Sequence, residues 1–295
     1  MYAKDFKGND PRWLYHLFET IDLSGYDSGS VQPMLNRNYI AAVPVWVPPL
    51  AEQQAIAEVL GALDDKIAAN VRLARTLYSL VEADFVRTSA RAKHIRELSD
   101  LATTQYGLTT SASSYDGVCL LRVTDINKQP WIDWDGVPGC TVSEPERAKY
   151  ILQPGDIVVA RMADPGKCAW IAPGDPDTVF ASYLVRLRVH DPNHAPFVFQ
   201  FLRSPTYVRY ADGVGQGSVQ KNMNAKAMVA TQITLPEPPV LEAFSRRFHQ
   251  TWQAMTSVLG ENRTLAATRD ALLPQLMSGK LRVRDAEAAA SAAGA

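Results

Sequence analysis

The sequence predicts an α+β protein, a small mixed α/β domain bracketed by two long helices packed as an antiparallel coiled coil. Three observations predict it. First, Gly29-Ser30-Val31-Gln32 returns at Gly217-Ser218-Val219-Gln220, and at the same offset Asn36 meets Asn224, Ala42 meets Ala230, Val45 meets Ile233 and Pro48 meets Pro236. Second, each copy runs through a proline pair (Pro48-Pro49, Pro238-Pro239) into a long amphipathic stretch. Third, the residues between the two stretches have the short alternating runs and turn signals of β-structure. A repeated order of domain end, prolines and long helix is an internal duplication, which constrains architecture more than any single motif.

Residues 1–47 match only the last part of the domain that precedes the second copy. They are expected to be a C-terminal remnant of a first domain, lacking roughly ninety residues relative to its counterpart. Within them, Trp13, Leu14, Leu17 and Phe18 suggest a helical piece. Without staples so short a segment cannot form its own core, so it is expected to be poorly ordered, packed on the helices or completed by a missing part in trans.

Residues 48–94 carry the first helix. Ile56, Leu60, Leu63, Ile67, Asn70, Ala74, Leu77 and Val81 advance in steps of four and three, the seam of a coiled coil. Residues 240–284 repeat this through Phe248, Trp252, Met255, Leu259, Asn262, Ala266, Arg269, Leu273 and Leu276. Leu60, Leu63, Ile67, Asn70, Trp252, Met255, Leu259 and Asn262 are the expected pairing residues. Asn70 and Asn262 occupy matching positions; they either pair across the seam and set its register, or face solvent at its edge. Forty residues at 1.5 Å rise make each helix ~60 Å long. Pro274 should interrupt the second helix and Ser278-Gly279 end it. The Ala-rich residues 285–295 are expected to be a disordered tail.

Between the helices, residues 95–239 read as the intact domain. Val118–Val123 and Asp156–Arg161 look like strands, Ala181–Val189 alternates with Tyr183, Val185, Leu187 and Val189 on one face, and Pro196–Tyr210 reads as one aromatic helix. A glycine-rich loop follows, carrying Gln216, Ser218, Gln220, Lys221, Asn222 and Asn224. Amides suit base edges and a lysine suits phosphate, on backbone able to come close. No Gly-Lys-Ser/Thr closes the loop, so it is not a phosphate-binding P-loop.

At 295 residues and 46% hydrophobic content, the chain can bury a core in two units or more. The net charge of −1 hides basic stretches at 203–235 and along the second helix, offset by an acid-rich region from Asp116 to Asp177. Such faces permit nucleic-acid contact without requiring it. Three cysteines without a CxxC pair argue against a disulfide framework and fit a reducing cytoplasm, and no apolar run approaches the ~20 residues of a membrane span. The five histidines show no metal-ligand spacing, Asp64-Asp65 reads as a solvated pair and Asp156 as a turn residue.

The stretch PPLAEQQAIAEVLGALDDKIAANVRLARTL (Pro48–Leu77) closely resembles the spacer of type I restriction–modification specificity subunits. LLPQLMSGKLRV (Leu272–Val283) is similar to the end of their second spacer; LLRVTDI (Leu120–Ile126), LQPGDIVVAR (Leu152–Arg161) and GQGSVQKNMN (Gly215–Asn224) fit their target-recognition domains. The resemblance implies a non-catalytic DNA-binding subunit whose recognition domains each read half of a split target. It also implies helices that set the gap and dock adenine methyltransferase subunits, with a restriction/translocase subunit recruited indirectly. S-adenosylmethionine, ATP and Mg belong on those partners; no cofactor or metal is expected on this chain, and a complementing first-domain fragment or self-association is a further expected partnership. Asn/Asp-Pro-Pro-Tyr/Phe, the methyl-transfer motif, is absent from the sequence. DNA contacts are expected in the glycine-rich loop, supported by Thr103, Thr104, Tyr106, Thr109, Arg122, Arg161 and Lys167. Two alternatives stand beside this reading: a recognition fragment of a fused methyltransferase–nuclease, and a decayed subunit that only docks partners.

Overall fold

Two 40-residue helices, α2 (Leu50–Ser89) and α9 (Pro238–Met277), carry the architecture. The computed structural model describes residues 5–23, 40–41, 43–113, 117–214 and 222–295. The chain divides into two compact units, Met1–Thr76 with Gln253–Ala295, and Leu77–Trp252, so that both long helices contribute to each.

In the first unit the two helices run antiparallel, because Asp64 meets Arg269 (2.8 Å) while Asn70, further along α2, meets Asn262 (2.9 Å), earlier in α9. Asn70 Nδ2 donates to both Asn262 Oδ1 and Glu261 Oε2, and Asn262 Nδ2 reaches the Ile67 carbonyl at 3.4 Å. Helix α1 (Pro11–Thr20) lies on the pair. Asp10 caps it, accepting from the Arg12 and Trp13 amides, and Pro11 stands where no amide partner is needed. Buried Gln53 of α2 ties down the entry: it accepts from the Asp10 amide and donates to Asn9 and the Pro48 carbonyl. Trp13 and Leu17 thereby pack with Ile56, Leu60 and Leu63 of α2 and Leu272 and Leu276 of α9. Trp13 is 1% exposed, and truncating such a ring costs ~3–5 kcal/mol.

The second unit holds the mixed α/β domain. Strands β1 (His94–Glu97) and β8 (Gln232–Leu235) pair antiparallel, His94 opposite Leu235, and bring the domain's two ends together. Helix α3 (Leu98–Leu101) leads into β2 (Ala102–Tyr106). Two strands, β3 (Cys119–Leu121) and β6 (Thr178–Phe180), pair parallel; α4 (Val123–Ile126) and α5 (Glu144–Tyr150) lie between them in sequence. The main sheet is antiparallel in the order β2-β7-β4-β5, with β4 (Ile157–Ala160), β5 (Cys168–Trp170) and β7 (Leu184–Val189). Strand β4 is buried at all four residues, as its IVVA sequence dictates. Helices α6 (Ala195–Arg203), α7 (Pro205–Val214) and α8 (Ala225–Val229) complete the unit. Aromatic rings join α6 to the long helices: Phe197 packs on Phe85 of α2 (4.9 Å between centroids), and Phe199 on Phe248 and Trp252 of α9. The Arg203 guanidinium lies over both the Tyr78 and Phe199 rings and donates to the Cys168 carbonyl.

Several expectations need correction. Residues 285–295 do not form a disordered tail: helix α10 (Val283–Ala292) buries Ala286 and Ala290 in the core of the first unit, small residues one turn apart giving close approach. Pro274 does not break α9, which runs to Met277, since a proline so near the end removes one hydrogen bond of the last turns. Pro196–Tyr210 is two helices because Pro205 disfavours helical backbone at Ser204. The Val118–Val123 run leaves the strand after Leu121, and Tyr183 precedes β7 and is exposed. Along the seam, Leu265 is buried where Ala266 was expected, and Leu259, Ile67 and Asn262 are only half-buried; a straight helix drifts ~20° per heptad. Asp64 and Asp65 are engaged, with Arg269 and Arg12 respectively. The 1–47 segment contributes its α1 to the helical unit, while Phe18 and Trp46 stay about half exposed.

Replacing Asn70 by Leu should leave the Asn262 amide short of its partner and cost ~1–3 kcal/mol in urea unfolding. The double change N70L/N262L should recover most of that loss, and a coupling near zero in the double-mutant cycle would refute the pairing. Burial pushes the Tyr78 phenol up to about 12, so the folded state keeps a proton that the unfolded chain releases near its ordinary value of 10. Stability should therefore fall as pH rises between those values, and Tyr78→Phe should blunt that fall in denaturation series at alkaline pH.

Candidate nucleic-acid interface

The register of the main sheet gathers one set of side chains at one end. Tyr106 closes β2 opposite Val185, Ala160 closes β4 opposite Leu184, and β5 opens at Cys168 opposite Val159. Tyr106, Tyr183, Arg161 and Lys167 therefore stand at a common sheet edge, with Thr109 just beyond Leu108, which bridges Ala181. The end of β2 comes very close to the chain after β6. A Cβ on Gly107 would lie 2.2 Å from the Ala181 carbonyl oxygen, so only glycine fits there.

Residues 222–225 cross this edge. Met162 and Asn222 form an antiparallel bridge, the Met223 amide donates to the Arg161 carbonyl (2.9 Å), and the Ala225 amide donates to the Tyr106 hydroxyl (2.9 Å). The Arg161 amide in turn donates to the Tyr183 carbonyl. Arg161 is thus pinned through its backbone on both sides. Its guanidinium lies over the Tyr106 ring, 4.9 Å from the centroid, with Nη2 at 3.4 Å from Asn222 Oδ1. Lys167, Thr109, Asn222 and Lys226 are exposed nearby in the chain's path.

Other expected residues are not part of this group. Thr103 and Thr104 sit further back on β2, opposite Arg188 and Leu187. Arg122 is occupied: its Nε and Nη2 donate to both oxygens of Asp125, whose carboxylate also accepts from the Arg122 amide. Asn224 is the N-cap of α8, accepting from the Ala227 amide at 2.8 Å. Gln216, Ser218, Gln220 and Lys221 lie outside the described residues, as do both copies of the repeated tetrapeptide. The sequence reading missed the outward-facing Tyr183, whose place in the alternation suggested the core, and Lys226, whose signal was its position next to the loop. Asp156 is structural, 1% exposed and held by Arg188 Nε and Nη2 and the Gln153 amide. Among the described residues, no group of three or more His, Cys, Asp and Glu side chains is placed to hold a metal ion, and no helix is long and apolar enough to cross a membrane.

Comparison with known proteins supplies independent findings. Residues 2–76 match the type I restriction modification DNA specificity domain family. The chain is 24% identical over 197 residues to the type I restriction enzyme HindI specificity subunit of Haemophilus influenzae. That match covers 65% of this chain but 42% of the relative, so the chain matches less than half of that subunit's length. Its fold is similar to the crystal structure of a type I restriction-modification system S subunit from M. genitalium, with a TM-score of 0.57 at 12% identity, over 90% of this chain and 71% of the other.

A capping role for Asn224 predicts a specific pattern. Asn224→Ala should lower the stability of the domain by ~1 kcal/mol in chemical denaturation, and Asn224→Asp should restore it. An Asn224→Asp variant as unstable as the alanine variant would overturn the capping assignment.

Proposed function

We propose that this chain, a relative of the type I restriction–modification specificity subunits, is a non-catalytic DNA-recognition subunit of a restriction–methylation complex. On this reading residues 95–239 are a target-recognition domain for one half of a split DNA sequence. Residues 48–94 and 240–284 are the helical spacers that dock the adenine methyltransferase subunits, and residues 1–47 correspond to the last part of a recognition domain. The observation that carries the reading is this end of the sheet, where Arg161, Tyr106 and Asn222 meet and Lys167 stands just before β5. Cations for phosphate and planar donor–acceptor groups for base edges are what sequence-specific DNA binding requires. The family match over residues 2–76, which takes in much of the first spacer, supports it.

S-adenosylmethionine, ATP and Mg then act on partner subunits, with the nuclease-translocase subunit joining through them. The cytoplasm is the compartment where such a complex meets DNA, and the three cysteines are free and buried, in keeping with it.

The purified chain incubated with DNA and labelled S-adenosylmethionine should transfer no methyl groups alone. Together with its modification subunits it should direct adenine methylation to one sequence. In that complex Lys221→Ala should weaken binding to all DNA alike and reduce the slope of log affinity against log salt by about one. Methyl transfer by the chain alone would overturn the proposal, as would a complex whose methylation is indifferent to sequence.

A further inference from the structure

Five arginines of the second unit hand their charge to a carboxylate: Arg122 to Asp125, Arg147 to Asp177, Arg188 to Asp156, and both Arg87 and Arg247 to Asp84. Arg161 does not. Among the described residues no carboxylate lies within ion-pair distance of it, and its Nε is buried with no hydrogen-bond partner. The side chain is nevertheless held in place, because the Tyr106 ring supports one face of the guanidinium and Asn222 Oδ1 approaches Nη2. Tyr106 is itself anchored by the hydrogen bond from the Ala225 amide. The result is a planar, uncompensated donor fork whose plane is set before any ligand arrives.

A phosphate contact does not require such fixation, although a guanidinium fork can also meet two phosphate oxygens. Charge alone suffices there, and exposed Lys167 and Lys226 supply it on flexible stems. A fixed plane matters where two acceptors must be met edge-on. In the major groove, guanine presents O6 and N7 in that arrangement, the pair an arginine fork matches. We propose that Arg161 reads a guanine, so that the half-site recognised by this domain contains a G·C pair at one defined position, with Tyr106 the residue that orients the fork. The proposal rests on the domain's reading of DNA and adds to it one base and the two side chains that select it.

The test uses the full chain assembled with its modification subunits and a DNA library randomised across the target. The methylated products are sequenced for wild type, Arg161→Lys, Arg161→Ala and Tyr106→Ala, with thermal unfolding recorded for each. Wild type should require G·C at one position of this half-site. Arg161→Lys keeps the charge and removes the fork, and should relax that position alone, lowering the preference for guanine about ten- to a hundredfold. Tyr106→Ala should relax the same position more weakly, an outcome that a merely structural role would not confine to one base pair. Three outcomes overturn the proposal: an even loss over all sequences with a shallower salt slope, which would make Arg161 a phosphate contact; unchanged preference in folded Arg161→Lys; and relaxation spread over many positions. A wild-type complex with no preference at any position would instead refute the DNA-reading function itself.

Discussion

The hydrogen bond between Asn70 and Asn262 interrupts a seam that would otherwise be apolar, and the pairing of the two long helices in the first unit follows from it. Leucine-rich seams tolerate sliding by a heptad, ~10 Å along the axis, since one aliphatic contact replaces another at little cost. An amide does not slide freely. Asn70 is 5% exposed, so a shifted register would set its donors against hydrocarbon, at ~1–3 kcal/mol for each unsatisfied group. The ion pairs Asp64–Arg269 and Lys66–Glu261 agree with the same register. Being partly exposed, they add little energy of their own. With the register set, the groove that receives Trp13 and Leu17 has a defined shape, and a ten-residue helix can dock there.

The same two helices use a different chemistry in the second unit. Tyr78, Phe85, Phe244, Phe248 and Trp252 replace aliphatic residues because α6 and the Trp170 end of β5 must also be packed. Several of these rings meet edge-to-face, each such pair adding ~0.5–1.5 kcal/mol beyond its burial. Arg203 finds its place among these rings through two cation–π contacts and a single carbonyl. The rigidity reaches the interface through the sheet: Trp170 belongs to β5, β5 pairs with β4, and β4 ends at the residue before Arg161. Side chains that select a base must be held to within a fraction of an ångström, and a strand end in a packed sheet meets that need better than a free loop.

What the sequence made legible is what periodicity and turn chemistry encode. The 3.5-residue seam predicted both helices, and of the two readings left open for the matched asparagines the structure adopts the pairing. The β4 run and the alternation of β7 were equally readable. Helix α10 was not, because alanines carry no apolar bulk and their burial depends on how closely other helices approach. Arg122 looked like a basic residue beside a strand; Asp125, three residues on, neutralises it once the chain turns into a helix there. Asn224 shows how one side chain supports two readings, since a loop amide suits a base edge and an asparagine before Ala-Lys-Ala suits a helix cap. The cap is what the fold uses. The Tyr106–Arg161 contact could not be read at all, because it joins residues 55 positions apart through sheet register.

The distribution of charge explains how a chain of net charge −1 could bind a polyanion. Part of the acid in the stretch from Asp116 to Asp177 is neutralised within the fold. Asp125, Asp156 and Asp177 are each committed to an arginine, so both members of every pair are largely removed from the long-range field. Among the described residues, Arg161, Lys167 and Lys226 have no carboxylate at ion-pair distance. Their field is local, decaying over a Debye length of about 8 Å at physiological salt. On the proposed function, such a surface would hold DNA only when the duplex is seated closely enough for base edges to be tested. Under that proposal, weak steering from afar with contact at short range would favour discrimination over bulk affinity.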